Sequence, residues 1–106
     1  MSKKLVRDKI CSKLKEDGYK VKYRILDDDE FKHELIRKLH EETTEYEENF
    51  SLNELADIIE VVLTLIDNSE FSVEEINRAV EFKRARNGGF HRQMFLESYT
   101  KEGTDE

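Results

Sequence analysis

Residues 52–66 are the segment that most restricts how this chain can fold. On a helix that turns by about 100° per residue, this segment is apolar almost all the way round, from Leu52 to Ile66. Ser51 supplies an N-cap, and Glu54 stands at the capping-box position three residues later. A helix of this kind has to be covered by other elements, so we expect it at the centre of the fold.

The composition favours helices over β structure. The 106 residues include no proline and only four glycines, and they are rich in good helix formers such as Glu, Lys and Leu. Because 37% of the residues are hydrophobic and 41% are charged, the apolar residues must be grouped on a few elements, and association of subunits would help to bury them. We expect an all-α domain over residues 1–96, a helical bundle of about four helices completed by oligomerisation, and a polar, disordered tail over residues 97–106.

Apolar spacing and cap residues predict three further helices. Residues 19–25 lie between the first two helices and alternate between apolar or aromatic and basic side chains, so we predict that they are extended. The apolar residues of the last helix, Val73, Ile76, Val80 and Phe82, are predicted to form its buried side. The predicted bounds are Lys4 to Glu16 before Gly18, Asp27–Asp29 to about Glu48, and Ser72 to Asn87 before Gly88 and Gly89.

Charge and cysteine content exclude several classes of function. A net charge of −7 disfavours binding to a nucleic acid polymer, which is held by clustered Lys and Arg. Cys11 is the single cysteine, so no internal disulfide can form. No segment has the length and apolar character of a signal sequence or of a membrane span. We expect a soluble, cytoplasmic protein without a membrane partner.

Two acidic residues stand where the helical pattern predicts apolar ones. Glu42 lies in the middle of the apolar stripe of the second helix, and Glu54 lies on the apolar line of the third. Each has another acid three residues further on, Glu45 and Asp57 respectively, which is close enough to converge with it. The apolar residues concerned are Phe31, Leu35, Leu39 and Tyr46 on the second helix and Ile58, Val61 and Leu65 on the third.

The short connection between these helices predicts an antiparallel hairpin in which the four carboxylates meet. Glu45 and Glu54 are about equally far from the turn, and so are Glu42 and Asp57. Ionised acids between packed helices repel one another and lose hydration unless a cation compensates them. An all-oxygen set suits Mg²⁺, for which Mn²⁺ can substitute, and Mg²⁺ shares its shell with phosphates, so we expect metal-assisted attack of water on a phosphoanhydride.

The acidic motifs resemble those of a known family. Residues 41–45, EETTE, and 54–57, ELAD, are similar to the EExxE and ExxD pair of the MazG-like all-α nucleotide pyrophosphohydrolases. Residues 4–10, KLVRDKI, and 83–90, KRARNGGF, resemble the small branch of that family related to phosphoribosyl-ATP pyrophosphohydrolase. The eight residues between Glu45 and Glu54 are fewer than is usual there.

The resemblance implies an activity and a set of residue roles. Family members cleave nucleoside triphosphates between the α and β phosphates, which gives a monophosphate and pyrophosphate, and they are homodimers or homotetramers. Their metal ligands would fall on the four acids already identified, with Glu41 as a further catalytic acid or the general base. The expected catalytic residues are Glu41, Glu42, Glu45, Glu54 and Asp57, of which the last four are the metal ligands.

Simpler explanations exist for several of these residues. Lys38 could contact a substrate phosphate or form an ordinary helix pair with Glu42. Lys83 and Arg86 could bind phosphate or complement the dipole of the last helix. The acids as a whole could form a solvated face, so the alternative is a non-catalytic acidic helical interaction module or a structural cation-binding protein.

Overall fold

The computed structural model describes residues 3–101, and all regular secondary structure in that range is helical. It contains four α-helices and no β-strand there, which confirms the prediction of an all-α fold with about four helices. No helix in the described range has both the length and the apolar character that crossing a membrane requires. The helices are α1 (Ile10–Glu16), α2 (Asp28–Glu48), α3 (Leu52–Asp67) and α4 (Val73–Asn87).

Side-chain caps fix the starts of α2 and α3. The carboxylate of Asp27 accepts a hydrogen bond from the backbone N–H of Glu30 at 2.9 Å. The hydroxyl of Ser51 accepts one from the backbone N–H of Glu54 at 3.3 Å. Both bonds satisfy amides that have no partner within the helix, and both starts agree with the sequence prediction.

The first helix is shorter than predicted. It begins at Ile10 rather than at Lys4, and residues 3–7 have no regular secondary structure. The physical reason is tertiary, because Leu5 and Val6 line a cavity against α2 and α3 instead of continuing the helix. Residues 19–25 form neither a helix nor a strand, and their extended conformation stays a prediction.

The chain divides into two compact units, Met1–Ser72 and Val73–Glu106. The first contains α1, α2 and α3, and the second contains α4. Of the predicted polar tail, residues 97–101 are exposed and have no helix or strand, and residues 102–106 lie outside the described part of the chain.

The predicted buried side of α4 is not buried. Val73, Val80 and Phe82 are exposed, and Ile76 alone among the four predicted residues is half-buried. Within its unit α4 has no second described helix to pack against, so its apolar residues lack a partner surface. The apolar spacing was therefore sufficient to form a helix but not to bury one of its sides.

Helices α2 and α3 form the hairpin that carries the acidic residues. Three residues, 49–51, connect them, and the helices pack along each other, so they run antiparallel. Leu35 of α2 and Val61 of α3 are the buried apolar residues of the described chain. The other side of α3 is exposed, so within a single chain this helix is not central as predicted. We call this exposed set, Leu52, Leu55, Ile59 and Leu63, the α3 apolar face.

Candidate metal site

Five carboxylates come together on the hairpin in two overlapping groups of three. One group is Glu41, Glu42 and Glu45, and the other is Glu42, Glu54 and Asp57. In each group one oxygen from each residue lies within 4.8 Å of the others. Glu42 belongs to both groups, so it joins the four predicted metal ligands and Glu41 into one acidic cluster.

The helices bring these residues together through spacing and through the short connection. Glu42 and Glu45 are three residues apart on α2, and Glu54 and Asp57 are three apart on α3, which places each pair on one side of its helix. The 49–51 connection then sets the two pairs against each other. The exposed position of Glu45, together with the half-buried positions of Glu54 and Asp57, leaves the cluster open to solvent on one side.

Glu42 is the most unusual member of the cluster. It is the buried charged residue of the described chain, with 5% of its surface exposed. Its Oε1 lies 3.4 Å from Lys38 Nζ, whereas its Oε2 is buried and has no hydrogen-bond partner in the described residues. A buried, ionised carboxylate oxygen without a partner is costly to the folded state, and a bound cation, a hydrogen-bond donor or protonation of Glu42 would each relieve that cost.

Burial and neighbouring carboxylates raise the pKa of two of the acids. Burial has the largest effect on the pKa of Glu42, and the nearby Glu45 carboxylate raises it further because it can accept a hydrogen bond from protonated Glu42. The negative charges of Glu45 and Asp57 add to this increase, whereas Lys38 opposes it. Burial likewise raises the pKa of Glu54, with contributions from Glu45 and Asp57. In both residues burial is the largest cause of the raised pKa, and the negative charge of neighbouring carboxylates adds to it.

Lys38 forms the helix pairs that the sequence allowed. Its ammonium donates a hydrogen bond to Glu41 Oε1 at 2.9 Å and lies 3.4 Å from Glu42 Oε1. Burial lowers the pKa of Lys38, but the carboxylates of Glu41 and Glu42 outweigh that effect and raise it overall. Lys38 is therefore a charged partner of the cluster, and its contact with a substrate phosphate stays a prediction.

Arg7 is a member of the site that the sequence analysis did not identify as one. Its Nη2 donates a hydrogen bond to Asp57 Oδ1 at 2.7 Å, across 50 positions of sequence. No spacing rule could predict a contact over that distance. The only signal was the place of Arg7 inside the KLVRDKI segment, which carries part of the family resemblance.

A cavity of about 340 Å³ lies next to the acidic cluster within the first unit. That volume is at the lower end of the range of about 300–1,000 Å³ in which small-molecule sites fall. Two cations and four acids contribute to its walls, namely Arg7, Lys38, Asp8, Glu42, Asp57 and Glu60. Its apolar lining consists of Leu5, Val6, Phe31, Leu35 and Val61.

The two predicted phosphate-binding residues outside the hairpin lie on α4. Lys83 and Arg86 are both exposed, and Arg86 is in the last turn of that helix, where a cation complements the helix dipole. They belong to the second unit of the chain. Their contact with a substrate stays a prediction.

Comparisons with known proteins returned no relative for this chain. No family model, no curated protein and no solved structure matches it. The chemical role of the acidic cluster has to be inferred from its own geometry and charge.

Proposed function

We propose that this protein is a Mg²⁺-dependent nucleoside triphosphate pyrophosphohydrolase of the MazG-like kind, which releases a nucleoside monophosphate and pyrophosphate. The observation that carries the proposal is the unpartnered, buried Oε2 of Glu42 at the junction of two carboxylate groups. When Glu42 is ionised, a cation would stabilise this oxygen, and Lys38 reaches only the other oxygen.

The residues of the cluster fit a hard divalent cation. Every available ligand atom is a carboxylate oxygen, and neither a histidine nor the single cysteine belongs to the two groups. Glu42, Glu45, Glu54 and Asp57 would hold the cation. Bound Mg²⁺, or Mn²⁺ in its place, supplies neutralisation of phosphate charge and makes water more acidic.

The chain's own residues supply proton transfer and phosphate binding. Hydrolysis adds one water across the α–β phosphoanhydride, so one proton of that water has to be accepted. Glu41 is the candidate acceptor, because it lies beside Glu42 in the cluster and Lys38 holds its side chain in place. Lys38 then lies where it can also stabilise charge that develops on the phosphates.

The cavity supports a small organic substrate rather than a free ion alone. Its apolar walls suit the flat surface of a nucleobase, and its charged side adjoins the cluster that would face the phosphates. The resemblance of residues 4–90 to MazG-like enzymes leads to the same substrate class, a nucleoside triphosphate.

A homodimer or homotetramer is part of the proposal. The α3 apolar face leaves four large side chains of one helix exposed, and only Leu35 and Val61 among the described apolar residues are buried. A chain with so few buried apolar side chains gains stability by pairing that face with a second copy.

The direct experiment measures pyrophosphate release from mixed nucleoside triphosphates with Mg²⁺, for the wild type and for Glu42→Gln. We expect release by the wild type and none by the variant, because the amide keeps the shape but loses the ligand charge. Glu47→Gln, an exposed acid on the same helix outside the cluster, is the matched control and should keep wild-type activity.

The same samples test cation binding through thermal unfolding. Mg²⁺ at about 100 times its dissociation constant should add about 2.7 kcal/mol to the unfolding free energy of the wild type. A wild type that binds Mg²⁺ but releases no pyrophosphate would replace the proposal with a structural cation site. A wild type that neither binds Mg²⁺ nor hydrolyses nucleotides would favour a non-catalytic acidic interaction module.

A further inference from the structure

The ion pair between Arg7 and Asp57 differs from the others that the described residues form. The remaining pairs join residues that are at most six positions apart, whereas this one joins an irregular N-terminal segment to α3. It also ends on a member of the acidic cluster. A contact that only anchored the segment could have used any of the many other acids of the chain.

Arg7 is placed to exchange partners. Its side chain is 56% exposed, and its hydrogen bond to Asp57 uses Nη2, so the other N–H groups of the guanidinium are not engaged in that bond. Arg7 also lies on the wall of the cavity, together with Lys38. These two side chains are the cations of the cavity wall, and Lys38 already contacts two carboxylates.

We infer that Arg7 is a substrate-binding residue, which binds a phosphate of the nucleoside triphosphate when Asp57 binds a divalent cation instead of Arg7. The inference rests on the proposed function. A cation at the cluster competes electrostatically with the guanidinium of Arg7, because Asp57 attracts Arg7 less once its negative charge is balanced by a metal. The planar guanidinium can then bind a phosphate, because two phosphate oxygens accept two parallel N–H groups of an arginine.

The inference assigns a role to the N-terminal segment. The segment supplies Leu5 and Val6 to the apolar wall and Arg7 to the charged side of the same cavity. In the proposed complex, this one stretch of chain would contact both the base and the phosphates of the substrate. The irregular backbone at residues 3–7, where a helix was predicted, allows neighbouring residues to serve both ends.

The test compares Arg7→Gln with Arg24→Gln. Arg24 is a matched control, because it also forms an exposed 2.7 Å ion pair, with Glu30, and does not contact the acidic cluster. Loss of a charge-assisted phosphate contact should raise the KM of Arg7→Gln for its triphosphate about ten- to a hundredfold at saturating Mg²⁺. Calorimetry with Mn²⁺ alone should give an affinity equal to that of the wild type or tighter, since Asp57 has lost a competitor. Arg24→Gln should change neither quantity.

Arg7→Lys provides the second variant. It keeps the charge without the planar fork, so its KM should fall between those of the wild type and Arg7→Gln. If Arg7→Gln does not fold, the KM of Arg7→Lys alone tests whether Arg7 binds a phosphate. An active wild type whose KM is unchanged in both variants overturns the inference and leaves the proposed function standing. A wild type that hydrolyses no triphosphate overturns the proposed function, and the inference with it.

Discussion

Lys38 neutralises one oxygen of Glu42 and leaves the other without a partner. The ammonium lies 3.4 Å from Oε1, while Oε2 is buried and accepts no hydrogen bond from the described residues. The lysine also donates to Glu41 at 2.9 Å, so its single charge is shared. The site therefore contains a local excess of negative charge at the residue that belongs to both carboxylate groups.

Replacing Lys38 should show how strongly the excess negative charge destabilises the folded protein. We expect Lys38→Met to lower the unfolding free energy of the metal-free protein by about 1–3 kcal/mol, because Glu42 loses the cation that pairs with it. Adding Glu42→Gln to this variant should restore part of the loss, since the amide carries no charge. Urea unfolding in the presence of a chelator measures four proteins, which are the wild type, the two single variants and the double variant.

The control for this cycle is Lys32→Met on the same helix. Lys32 is exposed and forms no ion pair in the described chain, so its replacement should change stability by no more than about 0.5 kcal/mol. A double variant whose change in stability equals the sum of the changes in Lys38→Met and Glu42→Gln would show that Lys38 and Glu42 do not interact energetically.

The raised pKa values of Glu42 and Glu54 predict how stability depends on pH without metal. Their folded forms bind protons more tightly than the unfolded chain does. The resulting stabilisation is present below the ordinary carboxyl pKa and is lost as pH rises through the raised pKa values. Glu30 acts in the opposite direction, because Arg24 lowers its pKa.

Comparison with Glu42→Gln isolates the contribution of Glu42. In a chelator, the stability of this variant relative to the wild type should increase as pH rises from the ordinary carboxyl pKa through the raised pKa of Glu42, because only the wild type acquires the buried charge. Unfolding curves at a series of pH values provide the measurement. A constant difference across that range would mean that Glu42 titrates as it does in the unfolded chain.

The α3 apolar face should control assembly. Ile59 is 55% exposed on the single chain, so Ile59→Lys should leave the fold intact yet disrupt a homo-oligomer that buries this face. Ile25→Lys, at an 85% exposed position outside α3, should assemble like the wild type. Sedimentation velocity reports the masses and circular dichroism the helix content. A monomeric wild type would contradict the assembly.

The sequence predicted the parts of this structure that local rules control. The N-caps Asp27 and Ser51 and the stop at Gly88, whose φ is +84°, are decided by neighbouring residues. Helical periodicity likewise placed Glu42 in the buried stripe, and the structure finds it there. The acidic cluster could be anticipated because one short connection relates its two halves.

The errors concern contacts between distant segments. Apolar spacing from Lys4 onward satisfied the helical pattern, yet Leu5 and Val6 line the cavity instead. Burial of Val80 was predicted from spacing, although a helix side becomes buried only when another surface covers it. The bond from Arg7 to Asp57 is the clearest case, since periodicity carries no information about residues 50 positions apart.

The course of residues 3–7 beside the acidic cluster has a practical consequence for handling the protein. An affinity tag fused to the amino end would adjoin the segment whose arginine reaches Asp57. A polyhistidine tag there would bring its own imidazoles close to the carboxylates and distort cation titrations. Purification with a tag on the carboxyl end, or with a tag that is cleaved off, keeps those measurements interpretable.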